Sequence, residues 1–79
     1  MLPIALDTPA HVVIIPPEPG GQAALACSDL SVASAVRFVV EELAAPERER
    51  AVVRTPTLSL FIDEIEALYD QPEFPRSRN

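Results

Sequence analysis

Between His11 and Ile15 the chain reads "HVVII", a β-branched run that stops at Pro16 and so predicts a short strand. The stretch "PPEPGG" (Pro16–Gly21) follows, holds both glycines of the chain and predicts a turn. Next comes "QAALAC" (Gln22–Cys27). Its alanines favour a helix, whereas its place after a turn favours the second strand of a hairpin. The strongest period lies further on, in "SDLSVASAVRFVVEELAA" (Ser28–Ala45). There Val32, Val36, Val39 and Leu43 recur at helical spacing beside Ala35 and Val40, while Ser34, Arg37 and Glu41 fall opposite. Ser28, Asp29 and Ser31 can each accept from the free N–H groups at a helix start. The pattern predicts a helix of about Ser31–Ala44. Phe38 falls off its apolar stripe, towards the polar side, where it is either packed under a neighbouring segment or exposed for a partner.

The second half of the chain reads less evenly. Pro46 followed by Glu47 could open a short helix, but "AVVR" (Ala51–Arg54) fits a strand stopped by Thr55–Pro56. "LSLFIDEIEALYD" (Leu58–Asp70) begins as a strand over Leu58–Ile62 or as a helix that puts Leu58, Phe61, Ile62, Ile65, Leu68 and Tyr69 on one face. Its later part is helical either way, about Asp63–Gln71, with Asp63 as cap, Glu66 three residues on, and Pro72 as the stop. In the tail "QPEFPRSRN", Phe74 between Pro72 and Pro75 is a possible anchor.

These elements predict one α+β domain: a short antiparallel sheet in one layer and two helices in the other. An extended arm (residues 1–10) precedes the domain (11–71), and a proline-rich tail (72–79) follows it. The alternative is a mostly α fold with an N-terminal strand or hairpin, in which Pro46–Arg54 and Thr57–Gln71 are both helices. A chain of 79 residues holds one domain. A domain of that size buries only about 60% of its unfolded surface, so its core gains from a partner.

The stretch Leu58–Asp70 resembles the Walker B segment of AAA-type ATPases, where apolar residues run into an Asp–Glu pair. In that family the Asp holds magnesium and the Glu activates water, so the resemblance would place those roles on Asp63 and Glu64. The match covers about a sixth of the chain. The motif works only beside a phosphate-binding loop, G-x-x-x-x-G-K-[ST]. This chain has no lysine, and its two glycines are the adjacent Gly20 and Gly21. No nucleotide is therefore expected, and the resemblance implies only a local shape, a strand that runs into a helix.

Charge narrows the function classes further. Twelve acids against six arginines give −6, which repels phosphate backbones, so no nucleic acid is expected as a ligand. Arg48, Arg50 and Arg54 alternate with Glu47 and Glu49 as a mixed wet surface, and Arg76 and Arg78 lie in the tail. An all-arginine basic set suggests a GC-rich, bacterial coding sequence. Cys27 is alone, which excludes an intrachain disulfide and fits a reducing cytoplasm. The N-terminal residues lack a positive start and a long apolar run, and no stretch approaches a membrane span, so neither export nor a membrane is expected.

Candidate chemistry is sparse. Asp63, Glu66 and Asp70 share one helical face and read as its solvent side, and Asp63 and Glu64 also suit the positive end of the helix dipole. His11 has no ligand companion at metal spacing. Cys27 reads as a structural thiol, and a Cys27–His11 pair across a hairpin lacks a third, orienting group. "RTPT" (Arg54–Thr57) fits a phosphorylation site or a turn. No cofactor, metal or catalytic residue is expected. The leading expectation is a non-enzymatic protein–protein interaction or regulatory module, with self-association as a homodimer in view and Phe38, Tyr69 and Phe74 as contact aromatics. The alternative is an acidic, nucleic-acid-mimicking inhibitor of a nucleic-acid-binding protein. An enzyme using Cys27 or the acids of the C-terminal helix ranks third.

Overall fold

A computed structural model describes residues 5–18 and 20–74. Strands β1 (Pro9–Ile14) and β2 (Ala24–Ser31) form an antiparallel hairpin. The segment Gln22–Cys27, open between helix and strand in the sequence, thus enters a longer strand. β2 has eight residues against six in β1. The register absorbs the excess: Ala10 faces Leu30, Val12 faces Cys27, and Val13 faces Leu25. Each slip is a bulge in β2, and at the first of them Asp29 takes a φ of 60°. Aspartate enters this left-handed region more readily than most residues, so the bulge needs no glycine. The connecting loop does need its glycines. Gly20 has a φ of 82°, and a Cβ on Gly21 would stand 2.6 Å from Pro16 Cγ.

Helix α1 (Val32–Arg37) starts where the sequence places it. Ser31 is its cap, and Ser31 Oγ accepts from Ser34 N at 3.2 Å. The extended arm satisfies the two preceding N–H groups: Val32 N donates to Thr8 O at 2.9 Å and Ala33 N to Leu6 O at 3.0 Å. Three of the four donors that a helix start leaves free are thereby paired. The arm is thus tied to the domain, and its last residues, Pro9 and Ala10, already belong to β1.

The predicted regular helix to Ala44 is not what forms. After Arg37 the backbone widens into a π-helical turn, Phe38–Glu42, and ends at Leu43. A π turn closes i→i+5 and rotates less per residue than an α turn. The consequence is visible in Phe38, which the α period puts off the stripe. It packs against the core, as do Val40 and Leu43. A single turn follows, α2 (Ala45–Arg48), with Pro46 in its first positions and Arg48 Nη2 donating to Leu43 O at 3.2 Å. In the sequence this helix competes with the strand Ala51–Arg54, and the chain has both.

Strand β3 (Ala51–Arg54) lies antiparallel to β1, and β4 (Ser59–Leu60) antiparallel to β3, so the sheet order is β2-β1-β3-β4. β4 is two residues, not the expected Leu58–Ile62. A turn takes Leu58: Thr55 N donates to Leu58 O at 2.8 Å, and Thr55 Oγ1 accepts from Leu58 N at 3.0 Å. Turn chemistry of this kind accounts for the letters "RTPT". Helix α3 (Ile62–Tyr69) then starts one residue early. Its cap is Phe61, whose N donates to Glu64 Oε1 at 2.9 Å, so Glu64 does the task expected of Glu66.

α1, its π turn and α3 cover one face of the sheet. Val12, Ala51 and Val53 meet Val32, Val36, Val39, Ile65, Leu68 and Phe74 in one core. The molecule is 20 Å across its thinnest axis, as two layers require. The fold is a small α+β domain with a four-stranded antiparallel sheet and three helices. The mostly helical alternative does not form, because β-branched Val52 and Val53 pair in the sheet and Val53 completes the core. Among the described residues no helix is long and apolar enough to cross a membrane.

Candidate functional site

Side chains alternate across a strand, so the pairing register assigns each residue to a face. Ala10, Val12 and Ile14 of β1 point to the helices, and with them go Ala51 and Val53 of β3 and Leu60 of β4. The other, outer face receives His11 and Val13 from β1, Val52 and Arg54 from β3, Leu25 from β2, and Ser59 from β4. The ladder continues one step beyond β1, where Ile15 N donates to Arg50 O at 2.9 Å and so sets Ile15 beside Arg50 on this face.

Two rows therefore cross the outer face. One is aliphatic: Leu25, Val13 and Val52, with Ile15 next to it. Leu25 is 61% exposed and Ile15 42%. Val52 is buried yet stands outside the core cluster. The second row is polar: Ser59, Arg54 and His11, with the bulge of β2 at its end. Here lies an open depression of about 330 Å³, lined by His11, Arg54, Ser28, Asp29, Thr55 and Pro56 among others. β1 separates Asp29 from Arg54, which holds the two charges roughly 10 Å apart. The aliphatic row is exposed at Leu25 and Ile15 and is bordered by one charge of each sign.

The aromatics expected as contacts lie on the helix side. Phe74 is 3% exposed and is a core residue. Its ring meets that of Tyr69 at 5.5 Å between centroids, tilted by 51°. Tyr69 is half-buried, and its hydroxyl donates to Glu41 Oε2 at 2.7 Å, tying α3 to the π turn. Phe38 is half-buried at the edge of a second hollow of about 340 Å³, between Arg37 and the pair Glu41–Glu42. Among the described residues the exposed large apolar side chains are Ile15, Leu25, Leu58 and Phe61. The sequence does carry the signal missed here. "HVVII" is apolar at both odd and even positions, as in a strand covered on both faces.

The remaining candidates do not converge. Cys27 is opposite Val12, and His11 is on the other face of β1, so the conceivable Cys27–His11 pair is not brought together. Asp63, Glu64, Glu66 and Asp70 are all exposed. Glu64 is engaged as a cap. Among the described residues there is no group of three His, Cys, Asp or Glu side chains able to hold a metal ion. Arg76 and Arg78 lie outside the described residues. No protein-family model, curated protein or solved structure matches this chain.

Proposed function

We propose that this chain is a non-enzymatic protein–protein interaction module that works through the outer face of its sheet. The observation that carries the reading is the exposure of Leu25 (61%) and Ile15 (42%) on the outer face, beside the half-buried Val13. An aliphatic sheet face left in water is a standing gain of about 25 cal/mol per Å² for whatever covers it. The small core adds a reason of its own, since binding to the folded state alone raises its stability.

The test compares the wild-type chain with Leu25→Asp. Leu25 is exposed, so its replacement leaves the fold intact by circular dichroism. Light scattering across a concentration series reports self-association, and affinity capture from nuclease-treated lysate reports other partners. The reading expects at least one stoichiometric association that Leu25→Asp abolishes. If every association survives Leu25→Asp, or none exists, the outer face has no such role.

A second reading has its own observation. Glu41, Glu42, Asp63, Glu64, Glu66 and Asp70 are all exposed on the helix layer, where Tyr69 joins the π turn to α3. A nucleic-acid mimic would use this layer. Its binding to a nucleic-acid-binding protein would weaken steeply with salt and would ignore Leu25→Asp.

A further inference from the structure

His11 lies at the centre of a polar row that crosses three strands. On one side its cross-strand partner is Arg54 of β3, which sets their Cβ atoms about 5 Å apart. On the other side β2 is bulged. Ala10 pairs with Leu30 and Val12 with Cys27, so Ser28 and Asp29 together stand against His11. Bulges re-aim side chains, and this one brings both Ser28 and Asp29 to the wall of the depression that Arg54 also lines.

Asp29 and Arg54 are opposite in charge and share one hollow, yet β1 keeps them from joining. Among the described residues, no ion pair joins either side chain to another group. The hollow therefore presents an anion receptor at one end and a cation receptor at the other. His11 and Ser28 supply hydrogen-bonding groups between them. Thr55 also lines the hollow, but its hydroxyl is engaged with Leu58. The remaining wall is apolar, from Pro9, Ala10, Leu30 and Pro56.

We infer that this depression binds a small zwitterion, an apolar α-amino acid, with its carboxylate on Arg54 and its ammonium on Asp29. A guanidinium takes a carboxylate through two parallel N–H···O bonds. An ammonium has only donors to offer, and the Asp29 carboxylate accepts. An α-amino acid carries both groups on one carbon, between two receptors that cannot reach each other. A simple anion fits less well because Asp29 repels it, and a simple cation is opposed by Arg54. An aliphatic side chain suits the wall of Pro9, Leu30 and Pro56. The volume of about 330 Å³ lies at the small end of small-molecule sites, about 300–1,000 Å³. The inference goes beyond the interaction reading and does not rest on the aliphatic row, since neither Leu25 nor Ile15 lines the hollow.

The hollow is open, so water competes for both charges. A ligand of about nine heavy atoms should then bind weakly, with Kd on the order of 1 mM. Two-dimensional NMR of the full chain, titrated with L-leucine and with L-valine to about 20 mM, covers that range. The expected result is saturable movement of the amide signals of His11, Ser28, Asp29 and Arg54. Leucine amide lacks the carboxylate and N-acetyl-leucine lacks the ammonium, so each should bind at least ~3-fold more weakly than L-leucine. Arg54→Gln and Asp29→Asn should each weaken L-leucine by a similar factor. Asparagine accepts the left-handed backbone at this position, so Asp29→Asn keeps the bulge. Glu18→Gln makes the same change of charge at the far end of β1 and should leave the affinity as it is. Four results would each overturn the inference: no saturable movement with either amino acid, movement confined to residues outside the hollow, an analogue that binds as tightly as L-leucine, or folded charge variants with wild-type affinity.

Discussion

Val52 and Val53 are consecutive, and both are nearly inaccessible to water, at 3% and 0%. Exposure alone therefore gives no reason to treat them differently. The register does: Val53 faces the helices, and Val52 the outer side. Threonine keeps the β-branched shape of valine but adds a hydroxyl. At Val53 that hydroxyl enters a core whose other members near it, Val12, Val32, Val36 and Ile65, are aliphatic. A buried, unpaired hydroxyl costs about 1–3 kcal/mol. At Val52 the hydroxyl points to the outer side and away from the helix-side core, where a small shift of side chains can admit water, so the cost is about 1 kcal/mol or less. A chain of 79 residues has a total stability of roughly 4–12 kcal/mol, so the larger loss is a sizeable share of it. Urea denaturation followed by circular dichroism reads both. With a slope near 1 kcal/mol per M, Val53→Thr should lower the midpoint by about 1–3 M and Val52→Thr by less than about 1 M. Equal losses, or a larger loss at Val52, would refute the assignment of faces and every inference drawn from the outer one.

Other consequences follow from particular contacts. Phe74→Ala removes a core ring that touches Tyr69 and should cost about 3–5 kcal/mol by the same denaturation assay, enough to leave part of the population unfolded. Ser31→Ala deletes the acceptor for Ser34 N and should cost about 1 kcal/mol, with the arm's carbonyls keeping the helix start in place. Glu64→Ala frees Phe61 N at the start of α3 and should lower stability by about 0.5–1 kcal/mol, whereas Asp63→Ala, without that bond, should lose less. Cys27→Ala should leave folding and every association unchanged, since the thiol has no catalytic neighbour. A binding or reaction lost with Cys27 would return the thiol to the centre of the question.

Much of this architecture was legible in the sequence because local chemistry decides it. β-branched residues between prolines and glycines made β1 and β3. A serine ahead of a valine period fixed the start of α1, and acids ahead of an apolar period fixed the region of α3. Proline and glycine placed the turns. The lack of lysine and of a phosphate loop is likewise a local property, and it gives no reason to expect nucleotide chemistry. Long-range packing decided the rest. Gln22–Cys27 became strand because β1 offered it a ladder, against its alanine content. The helix opened into a π turn that packs Phe38 against the core, a choice the 3.6 period cannot express. Phe74 was drawn into the core from the tail, which its place between two prolines cannot foretell. The outer face was the least readable of all. It is assembled from residues as distant as Leu25, Val13 and Val52, and two bulges shift which residue of β2 points where. Alternation along one strand is a local property, but the register between strands belongs to the folded chain as a whole.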